Sequence, residues 1–166
     1  MQMDHPETLI GVAELAIALA GFSGIVVAFR SASHGSWHAG DHLRLAFLLE
    51  SSLTAAGFAL LTLLLLTTFP EQPALAWRLG SVFWALAMPW SLISSHRRIQ
   101  MSLEEHGDID QFANRLIFSV FCLLIGLQLI NVVHWQTFAP LLAALCANLM
   151  SAAIQFYRLI NSAFRE

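Results

Sequence analysis

Apolar runs of membrane length alternate along the chain with short polar breaks. Five stretches, at 8–29, 43–69, 74–95, 114–134 and 138–160, meet or nearly meet the ~20 residues that a helix needs to cross ~30 Å of hydrocarbon. The breaks carry turn chemistry: Arg30 to Asp41 with two glycines, Pro70-Glu-Gln-Pro73, and the charged stretch His96 to Gln111. Only Trp135-Gln136-Thr137 separates the last two runs, so they form a tight antiparallel hairpin. Pro89 falls inside the third run, where a membrane helix tolerates it as a kink. The pattern predicts one all-α integral membrane domain over residues 1–166, a bundle of about five transmembrane helices.

Composition agrees with that pattern. Hydrophobic residues make up 57% of the chain and charged ones 11%, against roughly 25% charged in a soluble domain. All eight basic residues are arginine and the net charge is −3. No basic stripe exists to neutralise phosphates, which excludes a nucleic-acid partner. Cys122 and Cys146 sit in separate apolar runs and read as buried packing thiols.

Arginine placement gives the orientation. Arg30, Arg44, Arg97, Arg98, Arg115, Arg158 and Arg165 fall on one side of the expected membrane, and Arg78 alone on the other. The N-terminus is therefore expected outside and the C-terminus in the cytoplasm, in a bacterial inner membrane. Trp77 and Trp135 then mark the outer boundary and Trp90 the inner one. Ala18-Leu-Ala20 has the small residues of a signal-peptide cleavage site, and cleavage would leave four spans. The segment ahead of it has no positive charge, however, and Glu14 interrupts the apolar run, so it is read as a span.

Two glutamates stand out against this background. Glu14 and Glu50 each lie seven residues ahead of a Gly-Phe pair, Gly21-Phe22 and Gly57-Phe58, at a constant offset of 36 residues. The first two spans run in opposite directions, so the two segments read as an inverted pair of the kind found in transporters. At ~1.5 Å per residue, Glu14 falls roughly 9 Å below the outer boundary and Glu50 roughly 10 Å above the inner one, both expected to face inward. A charged group in hydrocarbon costs about 2.5–3.5 kcal/mol on insertion scales, so each needs a reason.

The Glu14 face of the first span also carries Gly11, Ala18, Gly21, Ile25 and Ala28. Beside it, Ala16, Ala20 and Gly24 form a small-residue ridge that lets membrane helices approach closely, which makes this span the expected centre of packing. Three functional readings follow. Several copies ring a pore, with Glu14 as a cation-selecting acidic ring above a Gly21–Ile25–Ala28 constriction. Alternatively, Glu14 and Glu50 are protonatable sites of a proton-coupled small transporter. In the third reading each glutamate is protonated or paired, with Asn131, Asn148 or Arg44 for example, and the protein is a non-transporting scaffold. The first is the expectation: a homo-oligomeric channel for inorganic cations or protons, embedded in the lipid bilayer.

Further polar groups lie deep in the last two spans. Gln128 and Asn131 on the fourth, and Asn148, Ser151 and Gln155 on the fifth, are candidates for interhelical hydrogen bonds or for a polar path lining. His34, His38 and His42 recur every four residues in the first loop, a spacing that on a helix could bind Zn²⁺, although Gly35 and Gly40 oppose that helix. Asp108 and Asp110 follow Gly107 as caps of a new helix. No nucleotide loop, catalytic triad, Cys-x-x-Cys or metalloprotease motif occurs, so neither an enzyme nor a resident cofactor is expected.

Overall fold

A computed structural model describes residues 6–32, 39–106 and 111–163. These form α1 (Pro6–Ala32), α2 (Ala39–Thr68), α3 (Pro73–His106), α4 (Gln111–Ile130), one π-helical turn (Asn131–Trp135) and α5 (Phe138–Ala163), with no strand among the described residues. Four stretches are long and apolar enough to cross a membrane: Pro6–Phe29, Gly40–Thr68, Asn114–Trp135 and Phe138–Ser162. They fit a small polytopic membrane protein, and the outward surface agrees. Phe29, Leu86, Trp90, Leu123 and Val133 are all exposed on it.

The Pro70–Pro73 break turns as the sequence predicts, whereas the charged stretch expected to interrupt the chain from His96 continues α3 as helix to His106. Pro6 and Pro73 open α1 and α3, the helix position where a missing N–H is harmless. Between α2 and α3 the chain turns at Phe69–Gln72, closed by Gln72 N donating to the Phe69 carbonyl at 3.1 Å. The α3 helix keeps Pro89 in its interior and runs for 34 residues, about 50 Å at 1.5 Å per residue and longer than the bilayer core. Arg78, the tryptophans, several serines and Pro89 dilute its apolar character, and α3 is not among the four stretches above.

Cross-chain contacts set the up-and-down register. Ser162 Oγ donates to Asp41 Oδ1 at 2.9 Å, joining the end of α5 to the start of α2. Asn131 Nδ2 donates to Ser81 Oγ at 2.8 Å, joining the end of α4 to the start of α3. The helices thus alternate in direction. Arg44, Arg97, Arg98, Arg115 and Arg158 gather at one end, and Arg78 lies at the other.

The centre of the bundle is α2 and α5, not α1. Ala55, Ala56 and Ala59 on α2 share the buried core with Ala144 and Leu145 on α5, and small side chains permit that close approach. Gly80 of α3 sits where a methyl group would come within 3.0 Å of both Thr62 Oγ1 and Leu141 Cδ2. At the periphery, α1 buries Leu9, Val12, Ala13 and Ala16 in its first half and Ser23 in its second. Along the expected Ala16–Ala20–Gly24 ridge, burial falls from Ala16 to a half-buried Ala20. Gly24 is exposed, and a methyl group there would meet no atom of the protomer. The cysteines also depart from expectation. Cys122 and Cys146 are exposed on the outer face, where an apolar thiol is at no disadvantage in lipid.

Candidate functional site

The two glutamates have opposite surroundings. Glu14 is exposed, and at ~100° per residue it points about 160° away from the Leu9–Ala16 packing face of α1. Ala18, Gly21, Ile25 and Ala28 are exposed on the same side. The inward direction expected for Glu14 is thus corrected: its whole face is turned away from the protomer, because α2 and α5 pack against the other side.

Glu50 is half-buried, and it is held. Ser91 Oγ donates to Glu50 Oε1 at 2.6 Å, and Arg98 Nη2 approaches Glu50 Oε2 at 3.2 Å. The same Arg98 nitrogen donates to Ser94 Oγ at 2.9 Å, and its guanidinium lies 6.0 Å from the centroid of Phe47. Ser91, Ser94 and Arg98 follow i, i+3, i+7 on α3, so one helical face delivers Ser91 and Arg98 to Glu50, with Ser94 bonded to Arg98. Neither Asn131, Asn148 nor Arg44 is its partner. Arg44 Nη1 instead pairs with Asp41 Oδ1 at 3.0 Å.

Glu50 opens onto a cavity of about 710 Å³ among α2, α3, α4 and α5 at the arginine-rich half of the bundle. Each helix contributes a polar stripe. From α2 come Glu50, Ser51 and Thr54; from α3, Ser91, Ser95 and His96; from α5, Asn148, Ser151 and Gln155. Arg97, Asn114 and Arg115 stand at the α3 and α4 rim, and Phe47, Met88, Phe118 and Phe121 supply apolar wall. His96 and Phe118 bring α3 and α4 together at a ring separation of 6.1 Å. Ser51 and Ser151 set the level of α5 beside Glu50, with 3.4 Å between their oxygens.

The deep polar residues of the hairpin divide into two groups. Gln128 and Asn131 bind the hairpin itself. Gln128 Nε2 donates to the Pro140 carbonyl at 2.7 Å. Asn131 Nδ2 donates to the Thr137 carbonyl at 3.0 Å, and Thr137 N returns a bond to Asn131 Oδ1 at 3.0 Å. Asn148 and Gln155, by contrast, line the cavity. Asn148 Nδ2 donates to the Ala144 carbonyl at 3.1 Å. Gln155 is 4% exposed and its amide has no hydrogen-bond partner among the described residues.

Reasoning from sequence missed the α3 contribution. Ser91, Ser94 and Arg98 were legible as a polar face at the depth of Glu50, but arginines near a span end read first as orientation markers. His34 and His38 of the proposed zinc loop lie outside the described residues. The described residues contain no group of three or more His, Cys, Asp or Glu able to hold a metal. Gly107, Asp108 and Asp110 likewise lie outside them. Comparison of the chain with models of known families, with curated proteins and with solved structures gives no match.

Proposed function

We propose that the chain is a membrane transport protein of five spans, α3 being the fifth, in which the Glu50 cavity binds a small solute coupled to a proton. In this reading the N-terminus is outside, the cavity opens toward the cytoplasm, and the host is a bacterial inner membrane. The single observation that carries it is Glu50 held by Ser91 and Arg98 at the edge of a polar cavity, on a helix long and apolar enough to cross a membrane. A proton on Glu50 removes the charge that Arg98 faces, so the cavity gains one positive charge without any other rearrangement. That is the elementary step a proton-coupled carrier needs. The reading assigns the chain no catalytic chemistry and no resident cofactor.

A second reading is favoured by one specific observation. Glu14, Gly21, Ile25 and Ala28 all face away from the protomer, and a lipid-facing carboxylate is costly. Copies of the chain arranged with α1 innermost would cover that face and make Glu14 the acidic ring of a cation or proton channel. Reconstituted liposomes separate the readings. With a small organic solute supplied under a proton gradient, or under gradients of K⁺ and Na⁺, wild-type protein is expected to give flux. Glu50→Gln should abolish it in the carrier, with Glu14→Gln retaining most of it; the channel reverses that order. Silent wild-type liposomes would sink both and leave a membrane scaffold.

A further inference from the structure

The charges around the cavity do not balance. Its one carboxylate among the described lining residues, Glu50, is already taken by Ser91 and Arg98. Arg97 and Arg115 line the same cavity, and neither has an ion-pair partner among the described residues. His96 joins them at the rim. Buried Gln155, one turn beyond Ser151 toward the arginine-rich end, presents an unpartnered amide to this same space. A polar amide that lines a cavity without a protein partner is available to orient a guest there. The walls below are apolar: Phe47, Met88, Ile117, Phe118 and Phe121.

We infer that this cavity takes an anion with an apolar body. Its carboxylate, sulfonate or phosphate head sits among Arg97, Arg115 and Gln155, and its body lies along the Phe47–Met88–Phe121 wall. The inference rests on the Glu50 cavity being the solute site and deepens it by naming the solute's class. Arginine suits such a head because its planar fork donates two parallel hydrogen bonds to two oxygens. A volume of about 710 Å³ falls within the range of sites that enclose small organic ligands. An inorganic cation would meet two uncompensated guanidinium groups on entry and gain nothing from the apolar wall. The anion can come from the aqueous phase or from a membrane lipid, and the two share the same recognition chemistry.

The test is equilibrium binding to full-length protein in phosphatidylcholine nanodiscs, with octanoate and octylammonium as matched probes. Wild-type protein should bind octanoate at least about tenfold more tightly than octylammonium, the size of one charge-assisted contact. The Arg97→Gln/Arg115→Gln variant should lose that preference, Gln155→Leu should weaken octanoate binding, and Arg78→Gln at the opposite end should change nothing. Phosphatidylglycerol added to the disc identifies the source. Displacement of octanoate shows a lipid anion, and undisturbed binding shows an aqueous one. Equal binding of the two probes, or an unaltered preference in the double arginine variant, overturns the inference. Flux that depends on Glu50 without octanoate binding would keep the transport reading and reject this solute class. Octanoate binding in liposomes that pass nothing would do the reverse.

Discussion

Arg98 Nη2 stands 3.2 Å from Glu50 Oε2, and the two side chains are 38% and 28% exposed. The pair is therefore neither a solvated surface bridge nor a sealed one. An exposed ion pair is worth about 0–1 kcal/mol, and breaking a buried one costs about 3–5 kcal/mol.

Removing one partner should fall between those limits. Arg98→Ala is expected to destabilise by about 1–2 kcal/mol, because it leaves a carboxylate facing only Ser91 and apolar wall. Glu50→Gln should cost less, since its amide oxygen still accepts from Ser91. The double variant should be more stable than the sum of the single losses by about 0.5–1 kcal/mol. Denaturant unfolding in detergent measures all three, and strict additivity would show that the two side chains do not sense each other.

The α4–α5 hairpin offers a second test, with effects of both signs. Asn131 joins Ser81 on α3 to Thr137 at the start of α5 through three hydrogen bonds. Asn131→Ala should lower stability by about 1–3 kcal/mol, since buried partners are left unpaired. Gln136 closes the π-helical turn with φ 50° and ψ 41°, a left-handed conformation that costs a residue with a Cβ about 1–2 kcal/mol. Gln136→Gly should remove that strain and raise the melting temperature by a small amount, because glycine's greater freedom when unfolded takes back part of the gain. The turn is capped by the Gln136 backbone N–H donating to the Asn131 carbonyl at 2.8 Å, so a loss of stability in Gln136→Gly would mean that its side chain contributes as well.

Much of the fold was legible because hydrocarbon imposes a simple rule. Where backbone groups have no water, a long apolar run must be a helix, and the proline-bearing breaks must turn. The hairpin at Trp135–Thr137 and the extent of α2 followed directly. What the sequence left open was direction around each helix axis. In a soluble helix polarity marks the outside, but in lipid both faces of α1 are apolar, so nothing local says which side meets α2. Small residues at Gly21 and Gly24 point to close packing without naming the partner. Glu14 was accordingly assigned inward when it faces out. Glu50 was recognised as a site, but the residue that holds it, Arg98, lies 48 positions away and becomes its neighbour only through the α2–α3 register.

The outward face of α1 carries its own prediction. A methyl group at Gly11 or Gly21 would meet no atom of the protomer, so Gly21→Leu should not destabilise the protomer and should gain up to about 1 kcal/mol through helix propensity. If copies associate through this face, the same substitution should lower the particle mass measured in detergent, because small residues are what let two backbones approach. An unaltered mass would place any assembly elsewhere.

Ser52 isolates the energetics of a single polar atom in the core. It is fully buried on α2, and its Oγ has no hydrogen-bond partner among the described residues. A buried hydroxyl without a partner costs about 1–3 kcal/mol on mutational scales. Ser52→Ala removes the orphan and fills the site with the residue of best helix propensity. The volume change is slight, so no cavity of consequence opens. The variant should therefore be more stable than the wild type by about 0.5–1 kcal/mol, seen as a raised melting temperature in detergent. Ser91→Ala is the contrasting case. Its hydroxyl satisfies Glu50 Oε1 at 2.6 Å, so the same chemical change should destabilise. If Ser52→Ala also destabilises, its hydroxyl is bonded to an enclosed water.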